Sequence, residues 1–260
     1  MLGGKTALVT GSTSGIGLGI AKKLAAQKAN IVLNGFGDAS EISQIQKAIA
    51  AEFGVETFYH AADLSKTSEI ERLHAEVSTQ FKNIDILVNN AGIQHTSPVE
   101  DFPAEKWDQI IAINLSSAFH LIRLTLPHMK TTNWGRIINI ASVHGLVASV
   151  QKAAYVAAKH GIIGLTKVVA LECADINVTC NAICPGWVLT PLVEKQIEAL
   201  SQKQKISYEQ ASEELLLEKQ PSKRFTGIDQ LGDLAIFLCS ESASNMTGTS
   251  LPVDGGWVAR

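Results

Sequence analysis

The sequence predicts a single α/β domain built on a doubly wound parallel sheet. Short apolar runs alternate with longer amphipathic stretches along all 260 residues, which is the pattern of parallel strands joined by helical crossovers. The apolar runs are continuous Val, Ile and Leu segments, as expected of strands that are covered on both faces. Neither a low-complexity linker nor a repeat of solenoid period interrupts the alternation, so residues 1–260 are expected to form one domain.

Each element follows from its own stretch of sequence. The strands are assigned to the apolar runs TALVT (6–10), NIVLNG (30–35), ETFYHA (56–61), IDILVNNAG (84–92), GRIINIAS (135–142), NVTCNAICPG (177–186) and SLPVDG (250–255). The helices are assigned to the amphipathic stretches that follow these runs. They are expected around 16–28, 41–53, 67–81, 105–129, 153–173 and 229–240.

The segment 188–220 is long for a connection in a compact domain. Its apolar residues, such as Val193, Ile197 and Leu200, recur at helical spacing, so one face can pack on the body of the domain. We expect a mobile helical lid over the substrate. The alternative is a pair of static surface helices.

The composition excludes several classes of protein. The chain is 46% hydrophobic and 18% charged, with 20 glycines and a net charge of −3, so it lacks the basic footprint of a nucleic-acid binder. No apolar run approaches the ~20 residues of a membrane span, and the first residues enter a strand pattern without a secretory signal. We therefore expect a cytoplasmic protein with neither a nucleic-acid nor a membrane partner.

The four cysteines do not form a metal or disulfide pattern. Cys173, Cys180, Cys184 and Cys239 contain no CxxC pair and no cluster with zinc-ligand spacing. Cys180 and Cys184 are two strand repeats apart and should share a buried face. We expect small core residues here and no metal in the site.

A glycine-rich turn directly follows the first strand. The segment TGSTSGIG (10–17) has GxxxGxG spacing and precedes the first predicted helix. Glycines permit tight turns and close approach, and the free N–H groups and dipole of a helix N-terminus attract phosphate. Such turns also occur for packing reasons alone. The place of this turn in the first strand–helix unit favours binding of a nucleotide pyrophosphate.

Polar residues end the third and fourth strands. Asp63 and Leu64 follow the third, and NNAG (89–92) closes the fourth. Ligands of open α/β sheets bind at the carboxyl ends of strands, near the switch in strand order, so the two clusters can line one crevice. The alternative for each is an ordinary Asx turn or helix cap.

Ser142, Tyr155 and Lys159 are the best candidates for catalysis. Ser142 ends the fifth strand, and Tyr155 and Lys159 lie four residues apart on the following helix, so they share one of its faces. A surface Tyr/Lys pair is the alternative, since such pairs are common on helices. This helix starts at the ligand-binding edge of the sheet, beside the serine, which favours the catalytic interpretation.

Taken together, these motifs resemble the short-chain dehydrogenase/reductase family. The family's motifs occur in order over essentially the whole chain. They are TGSTSGIG, NNAG, Ser142, the YVAAK segment whose tyrosine lies thirteen residues after Ser142, and the PG of 185–186. The resemblance implies a Rossmann-type fold and hydride transfer with a nicotinamide cofactor. Within the family, NAGIQH, ASVHGLVAS, QKAAYVAAKHG and PGWVLTPLVEKQI are most similar to bacterial members that oxidise D-3-hydroxybutyrate to acetoacetate with NAD.

The resemblance implies a role for each catalytic candidate. Tyr155 is expected to be the general acid/base, with its pKa lowered from about 10 by the positive charges of Lys159 and the nicotinamide ring. Lys159 is expected to hold the nicotinamide ribose, and Ser142 the substrate oxygen. Asn114, in the segment IAINLS, matches the asparagine that supports a water-linked proton relay to the lysine. A polar residue that kinks the helix is the alternative.

The cofactor is expected to be NAD. Many NAD-preferring members carry an acid at about Gly35, which this chain lacks, but no Arg or Lys follows Gly35 to receive a 2′-phosphate. Asp38 would repel that phosphate if it points inward. The expected cofactor-binding residues are Gly11, Thr13, Ser14, Gly15, Ile16, Gly17, Phe36, Asp63, Leu64, Asn90, Tyr155, Lys159, Pro185, Gly186, Val188 and Thr190.

Further residues are placed to recognise a small carboxylic acid. Lys152 lies three residues before Tyr155, and its positive charge suits a carboxylate. Trp187 can form an apolar wall near the substrate methyl group. The expected substrate-binding residues are Gln94, Ser142, His144, Lys152, Tyr155, Trp187 and Gln196. The alternatives are a solvated lysine, a loop histidine and a surface glutamine.

Two alternatives to this dehydrogenase stay open. A nucleotide-sensing module would keep the fold and lose the chemistry, although the intact Ser142, Tyr155 and Lys159 argue against it. An NADP(H)-dependent reductase of 3-oxoacyl thioesters or other small ketones would need an open mouth and no carboxylate anchor. The resemblance also implies a homotetramer, in which the C-terminal VDGGWVAR can pack at an interface.

Overall fold

The fold is a parallel sheet between two layers of helices. The computed structural model describes residues 2–217 and 219–259. Its strands are β1 (Thr6–Val9), β2 (Asn30–Asn34), β3 (Thr57–His60), β4 (Ile86–Asn89), β5 (Gly135–Ile140), β6 (Val178–Pro185) and β7 (Ser250–Val253). Seven strands of the described residues form one sheet in the order β3-β2-β1-β4-β5-β6-β7, and all neighbours are parallel. The predicted doubly wound α/β class is confirmed.

Helices follow the strands as predicted, and their ends lie within a few residues of the expected ones. They are α1 (Gly15–Ala26), α2 (Ala39–Phe53), α3 (Thr67–Phe81), α4 (Ala104–Ile111), α5 (Ser117–Thr132), α6 (Ala153–Glu172), α7 (Pro191–Gln204), α8 (Tyr208–Leu217) and α9 (Ile228–Cys239). The sequence predicts one continuous helix over 105–129, and this prediction is wrong in one respect: a π-helical turn at Ala112–Ser116 separates α4 from α5.

The strands are mainly apolar because both faces of the sheet are covered by helices. Successive residues of β1 alternate between two cores: Ala7 and Val9 pack in the cluster that includes α1 and α9, and Leu8 packs in the cluster that includes α3 and α5. Every residue of β1 is buried. A half-exposed strand would instead alternate apolar and polar residues.

The strand order reverses between β1 and β4. The chain moves from β1 to β2 and β3 on one side, and from β4 to β5, β6 and β7 on the other. Loops that leave neighbouring strands in opposite directions open a crevice at the carboxyl ends of those strands. The glycine turn after β1, the NNAG segment and Ser142 all lie at this edge of the sheet.

The α7–α8 segment forms a small unit with its own apolar cluster. Val193 and Ile197 of α7 are buried in that cluster with a residue of α8, and Trp187 packs against them. At the base of the unit, the Thr226 N–H donates to the Trp187 carbonyl at 2.8 Å, and Val188 forms a bridge with Thr226. The segment therefore starts and ends at one place on the domain.

Two helical stretches have the length and hydropathy of a membrane span. They are 104–132, which joins α4, the π turn and α5, and α6 at 153–172, and 44% of each apolar window is buried. Neither stretch is one continuous apolar run, because charged residues interrupt both. Both stretches contribute to apolar clusters inside the domain, as core helices of globular domains do, so length and composition are a weak indication of a span.

The four cysteines are free and buried, as predicted. Burial raises the pKa of the Cys184 thiol to about 11 and that of Cys239 to about 12. These thiols stay protonated at neutral pH and pack as small core residues.

Candidate active site

The turn after β1 is a backbone cradle that is tightly packed at Gly11 and Gly17. A Cβ on Gly17 would collide with the Gly11 carbonyl oxygen and with Asn90 Nδ2. Gly11 and Gly15 have φ angles of 60° and 54°, in the left-handed region that glycine adopts most easily. Asn90 Nδ2 donates to the Gly11 carbonyl at 3.0 Å and so ties the cradle to the end of β4.

The start of α1 completes this cradle. Ser14 occupies the N-cap position, and its side chain makes no capping hydrogen bond. The first N–H groups of a helix need partners from outside the helix, and together with the helix dipole they attract anions. A turn in which a Cβ on Gly17 would collide with the backbone, beside an uncapped helix start, fits the pyrophosphate of a dinucleotide.

Two cavities meet beside the cradle. One has a volume of about 290 Å³ and the other about 240 Å³, and Asn90, Gly92 and Ile93 line both. Gly11, Thr13, Ser14, Phe36, Asp63 and Leu64 line the larger cavity. Ile16, Tyr155, Lys159, Pro185, Gly186, Val188 and Thr190 line the smaller one. Most of the predicted cofactor residues thus line two adjoining cavities, whereas Gly15 and Gly17 of the glycine turn belong to neither lining.

The end of β2 explains why the acid of NAD-preferring relatives is missing. Gly35 has a φ of 152°, and a Cβ there would lie 2.7 Å from Thr13 Oγ1. Thr13 Oγ1 donates to the Phe36 carbonyl at 2.9 Å. A side chain at position 35 would therefore require Thr13 to move and the backbone to adopt a strained φ. Asp38 turns to the start of α2, where its carboxylate accepts two N–H groups at 2.9 and 3.0 Å and caps that helix.

Asp63 forms an Asx turn, which is the alternative that the sequence analysis gives to a ligand-binding role. It also lines the larger cavity. Its Oδ1 accepts from the N–H and the hydroxyl of Ser65 at 3.0 and 2.7 Å. Lys66 Nζ lies 3.2 Å from Oδ2. The hydrogen bonds from Ser65, followed by the charge of Lys66, lower the pKa of the Asp63 carboxyl. The side chain is ionised and fixed in position at neutral pH.

Ser142, Tyr155 and Lys159 all line the smaller cavity. Ser142 follows β5, accepts the His144 N–H at 3.2 Å, and is hydrogen-bonded to Tyr155. Lys159 Nζ donates to the Ile140 carbonyl at 2.7 Å and lies 5.6 Å from the centroid of the Tyr155 ring. The last carbonyl of β5 therefore holds the ammonium group near the tyrosine.

Burial opposes ionisation of both Tyr155 and Lys159. It raises the pKa of Tyr155 above the usual 10.0, and the Ser142 hydrogen bond lowers it by less. Burial also lowers the pKa of Lys159 to about 8. Burial and Ser142 are the causes of the Tyr155 pKa shift, so the expected lowering of this pKa by Lys159 stays a prediction.

Asn114 lies in the π turn and joins it to the loop after β4. Its Oδ1 accepts from the Ile93 N–H and its Nδ2 donates to the Ile93 carbonyl, both at 2.9 Å. The alternative of a helix-distorting polar residue is thus correct, since the helix departs from α geometry here. Such turns are frequent at functional sites, so the two interpretations are compatible.

The predicted acid-recognising residues line the smaller cavity. Gln94, Lys152, Trp187 and Gln196 all belong to its lining. Lys152 stands at the N-cap position of α6, and its Nζ lies 5.8 Å from the centroid of the Trp187 ring. Gln196 comes from α7, so part of this wall belongs to the α7–α8 segment.

His144 faces two serine hydroxyls. Its Nε2 lies 2.8 Å from Ser149 Oγ, and its Nδ1 lies 3.4 Å from Ser142 Oγ. Its ring packs edge to face with Tyr155, with 5.9 Å between the centroids. Burial, followed by the positive charge of Lys152, lowers the pKa of His144 to about 4. The imidazole is neutral at pH 7.

Trp257 lines the smaller cavity, although sequence analysis places the C-terminal segment at an interface between subunits. Its ring centroid is 5.4 Å from that of His144 and 6.2 Å from that of Trp187. Gly255 and Gly256, with φ angles of 60° and 90°, turn the chain back over the site after β7. A glycine pair after a strand that ends at the ligand-binding edge is the signal that points to Trp257.

Two residues at the end of the predicted lid also reach the site. Lys219 Nζ donates to Ser149 Oγ at 3.0 Å. Gln220 is buried, and its Oε1 accepts the Trp187 N–H at 2.9 Å. A Cβ on Gly186 would lie 2.6 Å from that oxygen, so the glycine leaves room for the glutamine. In the sequence, these residues look like ordinary polar positions of a surface helix.

The fold and the site define a nicotinamide-dependent oxidoreductase of the short-chain type. A family model described as enoyl-(acyl carrier protein) reductase matches residues 11–258. The chain belongs to the short-chain dehydrogenase/reductase family.

Individual relatives match the chain over its whole length. It is 64% identical over 260 residues to the D-beta-hydroxybutyrate dehydrogenase of Cupriavidus necator, with 100% of both chains covered. It is 55% identical over 256 residues to the protein of the same name from Rhizobium meliloti, with 98% of this chain and 99% of the relative covered. Among solved structures, L-sorbose reductase from Gluconobacter frateurii, complexed with NADPH and L-sorbose, matches with a TM-score of 0.94 at 30% identity, covering 100% of this chain and 98% of that one.

Proposed function

We propose that this protein catalyses the reversible, NAD-dependent oxidation of D-3-hydroxybutyrate to acetoacetate. The observation that carries the proposal is one cavity lined by Ser142, Tyr155 and Lys159 and also by Lys152. The first three can handle the proton of a hydroxyl group, and Lys152 suits a carboxylate a few bonds away. The relatives named D-beta-hydroxybutyrate dehydrogenase support the same substrate.

Tyr155 and Ser142 act on the oxygen of the reacting carbon. In oxidation, the ionised Oη of Tyr155 accepts the hydroxyl proton while the carbon–hydrogen bond breaks. NAD, when bound, supplies the acceptor for the hydride. The Ser142 hydroxyl donates to the substrate oxygen and holds it within reach of Tyr155. In the reverse direction, neutral Tyr155 returns its proton to the carbonyl oxygen as it becomes an alcohol.

Lys159 and Asn114 support the chemistry of Tyr155 and Ser142. The Ile140 carbonyl accepts one N–H of the Lys159 ammonium at 2.7 Å, which leaves its other two N–H groups for the hydroxyls of the nicotinamide ribose. Asn114 fixes the loop after β4 through its two bonds to Ile93. We assign to it the support of a water through which protons leave Lys159.

The carboxylate of the substrate is proposed to bind Lys152, with Gln94 and Gln196 as further donors. All three residues line the same cavity. Trp187 supplies an apolar wall for the substrate methyl group, and Trp257 extends that wall. Holding the carboxylate orients the reacting carbon toward both the hydride acceptor and Tyr155, which removes the entropy cost of aligning them during the reaction.

His144 stays a substrate-contacting residue in this proposal. It contacts the substrate as a neutral imidazole and not as a charged imidazolium. The imidazole is neutral, and its two nitrogens face Ser142 and Ser149. A neutral ring adds no second positive charge for the carboxylate. Lys152 is therefore the group that sets the preference for an acid.

The cofactor is proposed to be NAD rather than NADP. No Arg or Lys belongs to the described residues that line the larger cavity, so a 2′-phosphate would find no cation there. The start of α2, which could attract that phosphate, is capped by the Asp38 carboxylate. The Asp38 carboxylate would repel a phosphate that approached this helix start.

The segment 188–220 is proposed to close over the substrate as a lid; its residue 218 lies outside the described residues. Helix α7 contributes Val193 and Gln196 to the cavity. The buried apolar residues of α7 and α8 pack mainly within their own cluster. A unit held at its base and packed on itself can move as a body.

The functional protein is proposed to be a cytoplasmic homotetramer. Phe119 of α5 and Val168 and Leu171 of α6 expose 47%, 52% and 78% of their surfaces. Exposed apolar side chains on neighbouring helices are typical of contacts between subunits. A symmetric arrangement would bury these faces against copies of themselves.

A substrate panel tests the proposal. It compares D- and L-3-hydroxybutyrate, acetoacetate, its methyl ester and an acetoacetyl thioester, each with both cofactors. We expect the highest kcat/KM for D-3-hydroxybutyrate with NAD and for acetoacetate with NADH. A preference for the thioester with NADPH would instead support a 3-oxoacyl reductase. Binding of NADH without turnover of any carbonyl would support a sensing module.

A further inference from the structure

Ser149 joins Lys219 to His144. Lys219 Nζ donates to Ser149 Oγ at 3.0 Å, and the same oxygen lies 2.8 Å from His144 Nε2. Ser149 lies in the loop between β5 and α6, whereas Lys219 follows α8. A residue of the α7–α8 segment therefore reaches the interior of the site through one serine.

The contacts continue from His144 to the reacting groups. His144 Nδ1 lies 3.4 Å from Ser142 Oγ, and Ser142 is hydrogen-bonded to Tyr155. Lys219, Ser149, His144, Ser142 and Tyr155 thus form one chain of polar groups. Hydrogen bonds in such a chain polarise one another, so a change at one end alters the other.

The chemistry of the groups sets the direction of the hydrogen bonds. An ammonium can only donate, so Ser149 Oγ accepts from Lys219. Among the hydrogen bonds of the described residues, His144 Nε2 is the acceptor available to the Ser149 hydroxyl. If the hydroxyl donates to Nε2, the imidazole carries its hydrogen on Nδ1.

This tautomer determines what Ser142 can do. With its hydrogen on Nδ1, His144 donates to Ser142 Oγ, which already accepts the His144 N–H at 3.2 Å. Both lone pairs of Ser142 Oγ are then engaged as acceptors. The Ser142 hydroxyl hydrogen is left for donation, to Tyr155 in this structure and to the oxygen of the reacting carbon when substrate is bound.

We propose that Lys219 and Ser149 are positioning residues that keep His144 in the Nδ1–H tautomer and so keep the Ser142 hydroxyl directed at the reacting oxygen. The proposal rests on the proposed function, in which Ser142 stabilises that oxygen. It assigns a role to the end of the lid, because Lys219 reaches Ser149 only where the segment after α8 packs on the domain.

The charges around His144 agree with this role. Burial, followed by the positive charges of Lys152, Lys219 and His160, lowers its pKa to about 4. The imidazole thus has one free lone pair at neutral pH, as an acceptor of the Ser149 hydroxyl must. Lys219 Nζ also lies 5.7 Å from the centroid of the Trp257 ring, which places the cation against an aromatic face.

Kinetics of Lys219→Met and Ser149→Ala, singly and combined, test the proposal. We expect each to lower kcat for acetoacetate reduction by about tenfold, the effect of one lost hydrogen bond, with KM and the Kd of NADH within about twofold. The double variant should be no slower than either single variant, because both break the same chain. Lys219→Arg and Ser149→Thr keep the donor and the hydroxyl and should retain most of the activity.

Two controls separate this role from a structural one. Lys203→Met removes an exposed lysine of α7 and should leave kcat unchanged. In a Ser142→Ala background, Lys219→Met should have no further effect on kcat, since the chain acts through Ser142. Additive losses in that background, or a rise in KM at constant kcat, would overturn the proposal and make Lys219 a substrate-binding residue.

The outcome is independent of the substrate assignment. If the parent enzyme reduces another ketone but not acetoacetate, the proposed function fails, and the same set of variants is measured with that ketone. Ser142 holds the oxygen of any carbonyl substrate, so the non-additive pattern should persist. If the non-additive pattern is absent with a substrate that the parent enzyme does reduce, the positioning role is contradicted and the proposed function is not.

Discussion

The charge of Lys152 provides the sharpest test of the substrate class. Lys152 is half-buried at the start of α6, with its ammonium 5.8 Å from the Trp187 ring. Loss of one partner of a buried charge pair costs about 2–5 kcal/mol. Since Lys152 keeps some contact with solvent, screening favours the lower end, about 2 kcal/mol. Lys152→Ala should then lower kcat/KM for 3-hydroxybutyrate by about 30-fold.

The assay compares an acid with a neutral substrate of the same shape. Acetoacetate and its methyl ester differ in charge at the end that Lys152 is proposed to hold. The ester should respond less than about twofold to Lys152→Ala, because it never forms the ion pair. Measurement at pH 8 keeps His144 neutral in both enzymes, since the lost charge is one that lowers the His144 pKa. Lys47→Ala, at an exposed position of α2, is the matched control.

The comparison also has a clear negative result. Equal losses with acetoacetate and with its ester would show that Lys152 supports the structure of the site rather than the charge of the substrate. The proposal of a hydroxy-acid substrate would then lose its main physical support. Weaker NADH binding in Lys152→Ala would point to the same conclusion, because the lysine is assigned no contact with the cofactor.

Four other expectations concern the reaction, the cofactor, the lid and the assembly. Tyr155→Phe should lower kcat to below about 1% of the parent and leave NADH binding intact; appreciable turnover would mean that another group transfers the proton. Steady-state kinetics should show a higher kcat/KM for NAD than for NADP, and Asp38→Ser, which keeps a helix-capping side chain but removes its charge, should narrow that difference; a parent enzyme that prefers NADP contradicts the assignment. Hydrogen exchange should slow in 188–220 when NAD and a substrate analogue bind, whereas equal exchange with and without ligands would identify static helices. Light scattering should give the mass of a tetramer, and Leu171→Glu should weaken it; a monomer at micromolar concentration rules the assembly out.

The sheet could be predicted from the sequence because its pattern is local. Each strand is a short, mainly apolar run, and β1 is buried along its whole length. The Ser142, Tyr155 and Lys159 group could also be found, since one residue ends a strand and the other two are one helical turn apart. Their convergence follows from the position of α6 at the carboxyl edge of the sheet.

Features that depend on distant partners could not be predicted in this way. The π turn at 112–116 accompanies hydrogen bonds from Asn114 to Ile93, which is 21 residues away. Lys219 meets Ser149 across 70 residues. Helical periodicity assigns a lysine at such a position to solvent, because the pattern contains no information about the loop that the end of the helix approaches.

The site consists of two parts with different mechanical support, and this division separates chemistry from specificity. The end of β5 fixes both Ser142 and Lys159. Ser142 follows the strand along the chain, and Lys159 donates a hydrogen bond to the Ile140 carbonyl. Gln196 and Lys219 belong to a segment whose apolar residues pack mainly on one another. Substitutions in that segment can change the substrate preference without disturbing the sheet. The Lys219–Ser149–His144 contacts are the exception, because through them the position of the segment acts on Ser142 and therefore on kcat.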